Sequence, residues 1–123
     1  MIRASFSMYR LDGLGPDEFR SYWFDVHAPL LRELAPVLGL RRYVQLHPTL
    51  DDAAAGIARV RGLAPSPDGV AELWWDHLDD VLGTTPEAKA GYRRLMDDER
   101  RFIDLSRSTL VFATARPIIQ ETE

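Results

Sequence analysis

The apolar residues of this chain change their spacing from two to about 3.6 and back again, and the order of those changes leaves few folds open. Ile2, Ala4, Phe6 and Met8 alternate with Arg3, Ser5, Ser7 and Tyr9, the pattern of a strand with one apolar face over Ile2 to Tyr9. Asp12-Gly13-Leu14-Gly15 breaks it, and Pro16-Asp17-Glu18 opens a helix with proline and acids in the first turn. Phe19, Tyr22, Trp23, Val26, Leu30, Leu34 and Val37 form its apolar stripe, and Gly39 ends it. Leu40 to His47 alternates again, as does Gly69 to Asp76.

Leu78 to Leu82 reads as a short helical turn. Thr85 caps a second long helix, with Pro86 at its first position and Ala88, Tyr92, Leu95, Met96, Glu99 and Phe102 or Ile103 along one side. Ser108 to Ala115 is the last strand, followed by an apolar Ile118-Ile119 tail that needs a partner. Between the second and third strands, Pro48 to Asp68 reads as an irregular insertion with one or two helical turns between Asp51 and Arg61. The order is βαββαβ, which gives an α+β domain spanning residues 1–123, a four-stranded antiparallel sheet with two helices on one face.

A chain of 123 residues hides roughly two thirds of its unfolded surface, enough for one thin core. The bare face of such a sheet calls for a second copy, so a homodimer is expected. With no cysteine, disulfides and thiolate chemistry are excluded. A net charge of −4 argues against nucleic acid or an anionic membrane as partner; of the 15 basic residues all but Lys89 are arginine, scattered among acids. MIRASFSMYR lacks an apolar signal core and no segment reaches membrane-spanning length, which leaves a cytoplasmic location by default.

No dinucleotide fingerprint, phosphate loop, nucleophile elbow or paired-histidine metal motif is present, so no cofactor is expected. The polar candidates lie elsewhere. His27 falls on the flank of the buried stripe, and Pro29 cannot donate to the carbonyl of Asp25, so the helix bends or loosens beside it. The pattern fits either a functional imidazole or one packed for stability. Tyr43, Gln45 and His47 share a strand face; with Val44 and Leu46 under the helices, that face points to the helix-free side, together with Glu72 and Trp74. Trp75 fills the helix-side core, Asp104 caps backbone amides, and His77 is a surface or capping residue.

Phe19-Arg20-Ser21-Tyr22-Trp23 running into His27-Ala28-Pro29-Leu30, with Gly39-Leu40-Arg41-Arg42-Tyr43-Val44-Gln45, resembles the EthD family. Asp68 to Trp75 and Asp98 to Asp104 extend the resemblance over nearly the whole chain. It implies a ferredoxin-like protomer whose sheets pack face to face in a dimeric α/β barrel. In the related lactone isomerases a histidine at the position of His27 and a tyrosine at that of Tyr43 belong to the active site; their third histidine has no match in this chain after His47.

Together these features lead to a cofactor-free acid–base enzyme, of isomerase, lyase or cyclase type, on a small apolar carbonyl, lactone, phenolic or polyketide-like compound. His27, Tyr43 and His47 are its catalytic candidates, with Gln45, Glu72, Trp74 and Trp23 against the substrate and no metal. Two alternatives stand beside it. One is an oxidoreductase or redox accessory in ether or aromatic degradation, binding haem through His27 or His47 or a metal through His27, His47 and Glu72. The other is a non-catalytic small-ligand-binding dimer.

Overall fold

The computed structural model describes residues 1–121. Four strands, β1 (Ile2–Met8), β2 (Leu40–Leu46), β3 (Gly69–Trp75) and β4 (Thr109–Phe112), form one antiparallel sheet in the order β2-β3-β1-β4. Its helices are α1 (Pro16–Tyr22), α2 (Ala28–Leu38), α3 (Asp51–Arg61), α4 (Leu78–Leu82) and α5 (Pro86–Glu99). The central strands β1 and β3 carry the alternation read from the sequence: Ala4, Met8, Ala71 and Trp75 are buried beneath the helices. Trp75 thus fills the helix-side core, as its strand position suggested.

Two apolar clusters meet over the sheet. Leu31, Leu34 and Leu38 of α2 and Leu95 of α5 pack on Ala4, Leu40 and Trp75; Phe19, Trp23, Phe102 and Ile103 pack on Met8 and Ala71. Leu73 and Tyr43 touch both. At Gly69 the backbone passes directly beneath the Trp23 ring, where an added Cβ would lie 2.5 Å from Cζ3. Gly69→Ala is therefore expected to cost about 1–3 kcal/mol of stability by forcing a fully buried indole aside, measurable by urea denaturation.

The caps agree with the sequence. Thr85 Oγ1 accepts from Ala88 N–H (3.1 Å), and Gly39 ends α2 at φ +64°, in the left-handed region glycine favours. Asp104 Oδ1 accepts from Ser106 N–H (3.1 Å), so it caps a turn, and His77 is exposed. The second long helix stops at Glu99 rather than at Phe102 or Ile103; those two fold back in a turn and Ile103 bridges to Arg10. β4 is shorter than expected and exposed along its length.

Three departures bear on the site. First, the loosening beside His27 is a single π-helical turn, Trp23–His27, in which Ala28 N–H reaches back five residues to the Trp23 carbonyl. Pro29 has no N–H to continue the four-residue pattern, and the chain widens where that bond is lost. Second, the segment expected to be mostly irregular holds an 11-residue helix, α3, none of whose residues is buried. Third, β2 carries a bulge between Leu40 and Arg42, where Leu40 faces Trp75 but Arg42 faces Trp74. The extra residue, Arg41, reverses the parity of everything after it.

That reversal corrects the sequence reading of the site. Tyr43 lies opposite Leu73 and Gln45 opposite Ala71, both on the helix-covered side, whereas Arg42, Val44 and Leu46 share the open side. Leu46 is accordingly exposed. Tyr43, Gln45 and His47 therefore do not line the open face with Glu72 and Trp74; they lie half-buried on the helix-covered side.

Candidate functional site

His27 is the one buried polar side chain among the described residues. Its Nδ1 lies 2.7 Å from Asp98 Oδ2, and the other carboxylate oxygen of Asp98 accepts from Tyr22 Oη at 2.5 Å. A carboxylate only accepts, so Nδ1 carries the proton and Nε2 is left with a free lone pair. The His27 ring meets Phe102 edge-on at 4.9 Å, which fixes its plane. Burial pushes the His27 pKa below the ordinary 6.5, opposed by the hydrogen bond and charge of Asp98. The imidazole is thus neutral at pH 7.

A second network starts at Trp23, whose indole is fully buried. Its Nε1 donates to Tyr43 Oη (3.1 Å), and Gln45 Nε2 donates both to Tyr43 Oη (3.0 Å) and to the Trp23 carbonyl (3.0 Å). With its amide so oriented, Gln45 presents Oε1 to His47 Nε2 at 2.8 Å, so that nitrogen carries the His47 proton. The His47 ring stacks on Trp23 at 4.5 Å. Tyr43 Oη already accepts two bonds, so its own O–H remains for donation, and among the described residues no acceptor takes it. Burial raises the Tyr43 pKa, keeping that proton in place.

Glu99 joins the two networks electrostatically. Its charge acts on Tyr43, and Asp98 is its neighbour in sequence and in field. Burial first and the Asp98 charge second push its carboxyl from 4.5 to about 7, against the pull of Arg100. Beside Tyr43 a recess of about 230 Å³ opens between α2 and β2, walled by Ala28, Leu31, Ala35 and Leu40 and by the arginines Arg32, Arg41 and Arg42.

The structure therefore joins Trp23, Tyr43, Gln45 and His47 in one network, sets His27 in a separate one with Asp98 and Tyr22, and leaves Glu72 and Trp74 outside both. Glu72 pairs with Arg3 on the open face, where the guanidinium of Arg42 lies 4.6 Å from the Trp74 ring. Two histidines and Glu72 consequently do not converge, which removes that set as a metal site. Trp23, expected against substrate, is sealed from any ligand and acts instead by holding Tyr43 and His47. Tyr22, Asp98 and Glu99 escaped the sequence reading; the available signal was Glu99, a carboxylate placed in the apolar stripe of its helix.

Sheet order and helix placement make this a ferredoxin-like α+β protein. It belongs to the EthD domain family, whose model matches residues 11–106. An EthD family protein of Bacillus halodurans C-125 is 19% identical, with 94% of this chain and 100% of that one covered at a TM-score of 0.57. A Bacteroides fragilis NCTC 9343 protein of unknown function, described as dimeric with a ferredoxin-like fold, is 12% identical over 91% and 93% of the two chains, TM-score 0.57. An Arabidopsis thaliana protein is 6% identical over 98% and 100%, TM-score 0.55. At such identities the likeness is one of fold. No curated protein matches the chain in sequence.

Proposed function

We propose that this protein is a cofactor-free acid–base enzyme acting on a small, largely apolar carbonyl compound. The observation that carries the reading is the buried His27–Asp98 pair at 2.7 Å, which fixes the tautomer with Nε2 as base. His27 takes a proton from carbon next to the carbonyl, and Asp98 balances the imidazolium that forms. Tyr43 hydrogen-bonds the enolate oxygen with its unused O–H; either the His27 imidazolium gives its proton back to carbon, or protonated Glu99 gives one there while His27 releases its own to solvent and Glu99 takes one up again. Substrate enters by the recess at Tyr43, where Arg32, Arg41 and Arg42 stand beside the apolar wall. Gln45 and His47 hold Tyr43 in place rather than reacting.

Two copies of the chain pair through the open sheet face in this reading, covering exposed Leu46 and Val111. The dimeric Bacteroides relative of the same fold supports this arrangement. No helix among the described residues is long and apolar enough to cross a membrane.

Deuterium wash-in from D2O tests the chemistry. Cyclic ketones, lactones and 1,3-diketones are incubated with the protein, and exchange next to the carbonyl is followed by NMR. Wild-type protein is expected to accelerate exchange of at least one class, and His27→Gln to lower the rate about a hundredfold with the fold intact. Because burial lowers the His27 pKa, the base form persists below pH 6.5 and the acid limb of the rate should lie under that value. Full exchange activity in His27→Gln, or no acceleration of any class by the wild type, would exclude the assignment.

A further inference from the structure

Beside Pro48, which follows His47, the structure holds a second recess that neither His27 nor Tyr43 lines. It has a volume of about 580 Å³ and lies between α3, the N-terminal part of α1 and the Pro65 to Asp68 segment. That size falls within the range of small-molecule sites. Its walls are largely apolar, with Pro48, Ala54, Ala58 and Leu63 among them, and two guanidiniums, Arg20 and Arg59, reach it. Two carboxylates are also present. Asp68 is committed to Arg10, accepting from its backbone N–H (2.9 Å) and from Nη1 (2.8 Å). Asp51 is not committed: its side chain is 66% exposed and stands 3.7 Å from Arg20 Nη2, a long contact of the kind that contributes little.

Arg20 is the unusual member. Its Nε is buried without a hydrogen-bond acceptor, although three quarters of the side chain is out of solvent. A guanidinium presents Nε and one Nη as a parallel pair of donors matched to the two oxygens of a carboxylate. Here that edge has one donor orphaned and the other loosely held by an exposed aspartate. Arg59 makes no ion pair among the described residues, so the recess keeps a cationic surplus once Asp51 is set aside.

We propose that this recess binds a small apolar carboxylate, whose two oxygens replace Asp51 on the Nε and Nη2 edge of Arg20 while its hydrocarbon part lies against the prolines and alanines. The helix that carries Asp51 has no buried residue, so shifting it to admit the carboxylate breaks no core packing. Arg59 supplies the second charge. The site is independent of the proton-transfer reading, because neither His27 nor Tyr43 lines it.

Benzoate and hexanoate are the probes, with benzamide as the neutral counterpart, titrated into the full chain by calorimetry and by NMR of the arginine Nε–H signals. Expected are saturable binding of at least one carboxylate at millimolar concentration or tighter, a shifted Arg20 Nε–H signal, and no binding of benzamide. Asp51→Asn, which removes the competing carboxylate, should tighten binding several-fold, and Arg20→Lys, which keeps the charge but loses the paired donors, should weaken it on the order of tenfold. His27→Gln should bind as the wild type does. No saturation by roughly 10 mM, equal binding of benzamide, or an Asp51→Asn affinity at or below wild type would each overturn the proposal. The last of these holds even where the Arg20 variant fails to fold.

Discussion

Trp23→Ala is expected to destabilise the fold by about 3–5 kcal/mol and to abolish the site with it. The indole is the largest fully buried side chain and lies in the cluster that packs on Met8 and Ala71. Its ring packs 5.8 Å from Phe19, stacks on His47 and covers Gly69, so truncation leaves a cavity bounded by strand backbone that has little freedom to collapse. Tyr43 then loses one of the two donors that fix its hydroxyl. Trp23→Phe separates the two effects. Most of the ring volume stays, the bond to Tyr43 is lost, and the expected cost is about 1 kcal/mol for one neutral hydrogen bond. Urea denaturation of the two variants measures this difference. Equal stabilities would mean that volume around Trp23 carries no weight and that the packing described is wrong.

The fold was legible because its signals are local. The alternation over Ile2 to Met8 and Gly69 to Trp75, Pro16 and Thr85-Pro86 at helix starts, and Gly39 at a helix end each report a neighbourhood of a few residues. The site was legible only in its membership. His27 stood out because Pro29 forces the backbone to change pitch beside it, and a π turn is what resulted. A single inserted residue at Arg41 reverses strand parity and puts Tyr43, Gln45 and His47 on the side opposite to the one their alternation predicts, and nothing in Leu40 to Leu46 marks a bulge: it contains no glycine or proline. A cue was nevertheless present. Tyr43, Gln45 and His47 make an odd solvent row but a coherent half-buried one, since the Gln45 amide donates to the Tyr43 hydroxyl and accepts from the His47 imidazole.

Pairing across the sequence was the other unreadable part. Asp98 meets His27 from 71 residues away, and no local pattern distinguishes it from Asp97, which faces outward to Arg100. What selects Asp98 is the phase of α5, set by Leu95 and Phe102 beneath it. The same phase turns Glu99 inward. The 11-residue helix within Pro48 to Asp68 exceeds the one or two turns its sequence suggests, because Asp51 and Asp52 in the first turn and arginines in the last favour helix without any buried stripe to reveal it.

Glu99→Gln is expected to make the protein more stable than the wild type near pH 8, by about 3 kcal/mol, and no more stable near pH 4. The Glu99 carboxyl titrates at about 7 in the fold against 4.5 for the free side chain, because burial and the Asp98 charge disfavour the anion. The folded state therefore holds this proton more tightly. Below 4.5 both states are protonated and Glu99 imposes no penalty. Between 4.5 and 7 the unfolded chain releases its proton first, so stability falls as pH rises, and above 7 the full cost is present. Burial of His27 acts in the opposite sense: its folded pKa lies below 6.5, so its contribution improves as pH rises toward that value. Because glutamine does not titrate, subtracting the two stability curves cancels His27 and isolates Glu99. Urea denaturation at pH 4, 6 and 8 provides the curves, and parallel ones would show that the carboxyl is solvated and ordinary. A diverging pair would identify a carboxyl that is half ionised at neutral pH beside Tyr43, as a group that both gives and takes a proton there must be.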